Sequence, residues 1–141
     1  MSEVEVASEL YKQTAFSASI LGGFSLTFLS ILMTAVDSKE KVFLTAIGTL
    51  TVSVVLLLVA TLGATYVLIG VQQMQLTFAF DAWPSQLYRT KWIAELSFMF
   101  GILSLMLGIG LSGFSKSKTL GKITLIPALL GTLLLVIIFL G

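Results

Sequence analysis

From residue 42 to residue 80 the chain passes 39 residues without a charged side chain. As one helix this stretch would reach about 58 Å, nearly twice the roughly 30 Å of a bilayer's hydrocarbon core. Three more runs are of the same kind. Residues 14–36 and 123–141 carry no charge, and residues 92–114 carry only Glu95. The remaining charge lies between the runs. Only 11% of the 141 residues are charged and 57% are hydrophobic, whereas a water-soluble domain carries about 25% charged residues. Such runs are solvated by lipid rather than water. The expectation is an all-α integral membrane protein with four transmembrane helices, multi-pass, in a plasma or prokaryotic inner membrane. The spans are placed at about 14–36, 42–71, 92–114 and 123–141. They form a single four-helix transmembrane domain (14–141) behind an N-terminal polar tail (1–13), and the chain is read as a homo-oligomer.

Several function classes drop out on composition. With a net charge of +1 and eight scattered Lys and Arg, the chain has no basic patch for nucleic acid. Cysteine and histidine are both absent, which removes disulfides, thiolate chemistry and imidazole metal sites. The first run does not resemble a cleaved signal, because Glu3, Glu5 and Glu9 precede it against one lysine, Lys12. Asp37, Glu40, Asp81 and Glu95 are too scattered to recommend a pair for acid–base work. Gly22-Gly23 and Gly108-x-Gly110 lie inside membrane helices, where close packing explains them. No enzyme, cofactor or metal is therefore expected.

The polar atoms of the first span have a pattern. Ser19, Gly23, Thr27, Ser30 and Thr34 follow at steps of 4, 4, 3 and 4 and fall on one side of a helix. Leu21, Phe24, Phe28 and Leu32 occupy the opposite side. The stripe either packs on other helices or lines something wet. Phe24 and Phe28 are candidate gate residues, able to close a wet path by dewetting if the helix turns. The second span has a small-residue edge of Thr45, Thr49, Ser53, Ala60 and Ala64, read as helix packing, and continues or breaks near Gln72, Gln73 and Gln75. Ser97, Gly101, Ser104, Gly108 and Ser112 make a second stripe in the third span.

Between the second and third spans, Pro84 suits the start of a helix, and Trp83, Tyr88 and Trp92 fit an aromatic belt at headgroup depth. Glu95 has two readings: a pore or cation contact, or a side chain that reaches the interface or pairs with Arg89 or Lys91. Pro127 is expected to kink or break the first turns of the last span. Lys12, Arg89 and Lys91 lie towards one membrane face, and Lys39, Lys41, Lys116, Lys118 and Lys122 towards the other. This count places the short loops in the cytoplasm and the termini outside.

On particular residues the chain resembles the Orai family, the four-span subunits of store-operated calcium channels. Ser17-Ala18 followed by Gly23-Phe24 is similar to the family's pore-helix stretch with one residue inserted. Glu95-Leu96 with Phe98 and Phe100 looks like the family's third helix, and Pro127 falls where a family proline bends the last one. The over-long second run fits a helix projecting past the membrane. The resemblance implies a central pore lined by the first helices, with Gly23 and Thr27 facing it. Ser30 or Ile31 stands where the family keeps its selectivity glutamate, which argues against calcium selectivity. The family's basic extension is replaced by Glu5, Glu9 and Lys12, and its cytoplasmic termini oppose the lysine count.

The expected function is a small oligomeric channel or pore with weakly selective ion conduction, its first helix on the axis. Ser19, Gly23, Thr27, Ser30 and Thr34 would line it. The alternative is an accessory subunit that docks on another membrane protein through small-residue helix faces. The expected partners are the lipid bilayer, further copies of the chain and, in the alternative, a membrane protein. A membrane-disrupting effector is a third option.

Overall fold

The structure, a computed structural model, describes residues 3–35, 41–77, 85–115 and 117–140. It consists of α1 (Glu3–Ala35), α2 (Lys41–Thr77), α3 (Ser85–Ser112), one 3-10 turn (Gly113–Ser115) and α4 (Lys118–Leu140), with no strand among the described residues. Three helices are long and apolar enough to cross a membrane, over Glu5–Thr34, Lys41–Gln73 and Ser85–Ser112. Only 22%, 28% and 33% of their apolar windows are buried within the chain. Most of that surface faces outward, where lipid or other helices must cover it, as in a membrane protein.

α1 runs unbroken from Glu3, so the polar residues ahead of the first span continue into it as one helix. Its Glu, Ala, Leu, Lys and Gln residues are good helix formers, and acids in a first turn complement the helix dipole. α2 passes through Gln72 and Gln73 without a break; no glycine or proline follows Gly70 before its end. α4 starts at Lys118, so Pro127 sits well inside it and does not break it. Proline there costs one backbone bond, and its ring is exposed on the outside of the helix, clear of the neighbouring helices. α3 opens at Ser85, as a start at Pro84 anticipates. The turn at 36–40 and the loop at 78–84, with Trp83 and Pro84, lie outside the described residues.

Packing follows a seven-residue period. On α2 the buried positions are Phe43, Ala46, Leu50, Ser53, Leu57, Ala60, Ala64, Val67 and Val71, alternating steps of three and four. That is the spacing of a left-handed coiled-coil contact line. α3 answers with Leu87, Ala94, Gly101 and Gly108, each seven residues on. The two helices are antiparallel, and their bulky and small residues interlock. Leu87 fills the space beside Gly70, and a Cβ on Gly63 would stand 2.9 Å from the Ala94 Cβ. Nearer the other end the roles reverse. Leu57 and Leu50 of α2 fill the space at Gly101 and Gly108, where added Cβ atoms would meet them at 2.9 and 2.6 Å. α1 lies along α2 by the same rule: Tyr11 packs with Ala64, Val67 and Val71, Ala18 with Leu57 and Ala60, and Leu32 with Phe43 and Leu50.

The helices form a row rather than a closed four-helix bundle. Among the described residues, α1 leans on α2 with little direct contact to α3, and α4 touches only α3 and the 3-10 turn. α4 is held by a tight corner. Ser117 caps its start, accepting a bond from the Leu120 N–H at 3.1 Å, and Thr124 Oγ1 donates to the Gly110 carbonyl at 2.9 Å. α1 and α4 therefore lie on opposite flanks of the α2–α3 pair.

This packing predicts that Gly101→Val lowers resistance to unfolding in detergent by about 1–3 kcal/mol through overpacking against Leu57. Gly48→Val, at a site with nothing within 4 Å of an added Cβ, leaves it nearly unchanged. Thermal or dodecyl-sulfate unfolding followed by circular dichroism compares the two.

Candidate functional site

α1 carries two polar lines, and the structure sends them in different directions. The buried line is Ser8, Tyr11, Ala18, Gly22, Ser25 and Leu32, which faces α2. The stripe of Ser19, Gly23, Thr27, Ser30 and Thr34 is exposed along its whole length. At about 100° per residue it is centred roughly a third of a turn from the buried line. Gly23 has nothing within 4 Å of where a Cβ would stand. The stripe thus takes no part in packing within the chain.

Its hydroxyls are satisfied locally. Ser19 donates to the Ala15 carbonyl at 2.8 Å, Thr27 to Gly23 at 2.9 Å, Ser30 to Leu26 at 3.0 Å and Thr34 to Ser30 at 2.9 Å. Each proton is directed at the helix's own backbone, so no donor is stranded whatever medium covers the face. The oxygen lone pairs remain, and they form a line of acceptors along the outer flank of α1.

The residues set opposite the stripe divide. Leu32 is buried, and Leu21 and Phe28 pack half-buried against the core around Leu32, Phe43, Leu50 and Leu105. Phe24 is 66% exposed. As gate candidates the two phenylalanines are therefore not equivalent, because Phe28 is held by its own chain and Phe24 is not. Ile31 is also exposed.

The second-span edge turns inward over most of its length: Ser53, Ala60 and Ala64 are buried and Thr49 is half-buried, but Thr45 is exposed. Ser97, Gly101 and Gly108 are buried, with Ser104 and Ser112 half-buried. Tyr88 and Trp92 meet edge to face with centroids 6.3 Å apart, both exposed, as an aromatic belt requires.

Besides the Thr124–Gly110 bond, two polar connections among the described residues join α1 and α2 to α3, and neither was read from the sequence. Ser53 Oγ donates to the Gly101 carbonyl at 2.9 Å and lies 3.1 Å from Ser25 Oγ. Since Ser53 has one proton, Ser25 is the donor between them, and the chain Ser25–Ser53–Gly101 ties α1, α2 and α3 together. Ser25 and Ser53 are fully buried. The second connection involves Glu95. Half-buried, it accepts a 2.9 Å bond from the Tyr11 hydroxyl, so its first partner is a phenol on α1. Tyr11 is only 3% exposed. Tyr11, Ala18, Ser25 and Leu32 repeat a period of seven along α1, which marks its inward face but names no partner on another helix. Among the described residues no group of three or more acids could hold a metal ion, and no buried side-chain polar atom lacks a hydrogen bond.

No protein-family model, curated protein or solved structure matches this chain.

Ser53 joins both bonds of the central connection, so Ser53→Ala should cost about 1 kcal/mol or less, given that interhelical polar contacts in membranes average about 0.6 kcal/mol. Ser53→Leu should cost more, by overfilling a fully buried site. Ser19→Ala, whose hydroxyl bonds only its own backbone, should cost close to nothing. Detergent unfolding of the three variants checks the order.

Proposed function

We propose that the chain crosses the membrane four times and assembles with copies of itself into a small channel, with α1 on the axis. α4 supplies the fourth span; its 23 residues make a helix of about 34 Å. The observation that carries the reading is the direction of the hydroxyl stripe. Ser19, Gly23, Thr27, Ser30 and Thr34 sit on an edge helix and are uncovered by the rest of the chain. Several copies around an axis would bring these faces together. The likeness of the first span to the Orai pore helix points the same way.

The chemistry of such a path follows from the hydroxyl geometry. With each proton turned to the backbone, the stripe offers oxygen lone pairs, which suit water and cations better than anions. No acid lies on the stripe, so discrimination among cations is weak. Phe24, exposed and about 100° round the helix from the centre of the stripe, is the gate residue in this reading, because a turn of α1 swings it towards the axis.

A second reading keeps the assembly and drops the conduction. Because the hydroxyls are closed on their own helix, the same face also fits dry docking on another membrane protein. Purification in mild detergent separates the two. A ring of identical chains supports the channel, and an unrelated membrane protein at fixed ratio supports the accessory role.

In liposomes, the parent should pass potassium and sodium at similar rates and chloride poorly. Thr27→Leu should greatly reduce flux while leaving the oligomer intact on native gels. A parent oligomer that carries no flux under any stimulus overturns the channel reading.

A further inference from the structure

Towards its C-terminal end α1 is keyed to α2 by Leu32, with Phe28 and Leu29 packed beside it. From Ser8 to Gly22 the contact surface is mostly small: besides Tyr11, Ser8, Ala18 and Gly22 are buried there and Ala15 is half-buried. Such a surface allows close approach but resists rotation poorly, because it has few knobs to catch. What fixes the rotation is polar. Ser25 is pinned to Ser53 and through it to the Gly101 carbonyl. Fourteen residues earlier on the same face, about 21 Å along the axis, Tyr11 bonds Glu95. One pin leaves a helix free to swing about it, whereas two on one face fix both its tilt and the direction of its opposite side.

The end of α1 near Glu95 depends on the second pin. α1 has little direct contact with α3, yet the Tyr11–Glu95 bond joins those two helices across the flank of α2. The phenol ring lies among Ala64, Val67 and Val71, and its hydroxyl, buried with the ring, donates to Glu95 Oε1 at 2.9 Å. A buried hydroxyl without an acceptor is costly, so the ring is seated there only while the carboxylate is in reach.

We propose that Tyr11 and Glu95 are a positioning pair that locks the outer end of α1 and so sets where its hydroxyl stripe faces. The consequence for conduction rests on the channel reading; the lock itself does not. Loss of either member frees the first turns of α1, and the stripe loses its fixed orientation.

Hydrogen exchange followed by mass spectrometry on the full chain in nanodiscs tests this. Tyr11→Phe keeps the ring and removes the donor, Glu95→Leu removes the acceptor, and Glu95→Gln keeps an acceptor oxygen. Amides of residues 3–14 should exchange about tenfold faster in Tyr11→Phe and in Glu95→Leu, as loss of one buried hydrogen bond implies. Glu95→Gln should stay close to the parent. The double variant Tyr11→Phe/Glu95→Leu should be no faster than the faster single one, because each single change already breaks the bond. Parent-like exchange in Tyr11→Phe, or Glu95→Gln as fast as Glu95→Leu, overturns the proposal. The exchange readout does not involve conduction. A parent that carries no flux therefore overturns the channel and leaves the lock standing, whereas parent-like exchange in Tyr11→Phe removes the lock alone.

Discussion

The close contact between α2 and α3 is the constraint on which the other placements depend. Glycines at 63 and 70 on one helix and at 101 and 108 on the other let the two backbones approach until Ala94, Leu87, Leu57 and Leu50 fill the gaps. The bulky partner changes sides along the length, with Leu87 set against Gly70 at one end and Leu57 and Leu50 set against Gly101 and Gly108 towards the other. Single contacts between apolar helices in lipid are weak, so shape rather than any one strong bond specifies the arrangement. α1 then reads its position off α2, and α4 hangs from the end of α3 by the Thr124–Gly110 bond and the capped turn at Ser117.

An open row has consequences that a closed bundle would not. Both flanks stay available, and the flank formed by α1 presents hydroxyl oxygens whose protons are already committed. Such a face tolerates lipid, another helix or water with no stranded donor. Its chemistry therefore follows its surroundings. The interior polar groups behave differently. Ser25, Ser53, Tyr11 and Glu95 bond one another or a backbone carbonyl on a neighbouring helix, and they tie the row crosswise where apolar packing is least directional.

The small-residue edge of α2 was legible in the sequence as a packing surface, and Ser53, Ala60 and Ala64 are buried. The third-span stripe was legible as a line but not in its direction: Ser97, Gly101 and Gly108 turn inward, whereas the first-span stripe, of similar spacing, faces outward. α1 carries a second line, Tyr11, Ala18, Ser25 and Leu32, and only contact with α2 selects it. The Tyr11–Glu95 bond spans 84 residues of sequence, so no local pattern points to it. Pro127 does not break its helix, for a simpler reason. The helix begins at Lys118, ahead of the apolar run, and its ring has open space on the outside.

By itself the sequence determined that the chain is helical and that its three longest helices are apolar enough to cross a membrane. Runs so long and free of charge can satisfy their backbone bonds away from water only as helices. It also excluded chemistry that needs histidine or cysteine. Only the tertiary structure decided which face of each helix turns inward. Lipid tails and helix interiors are equally apolar, so hydropathy does not distinguish them. The choice falls to the fit of leucine against glycine and to the pairing of a few hydroxyls and one carboxylate.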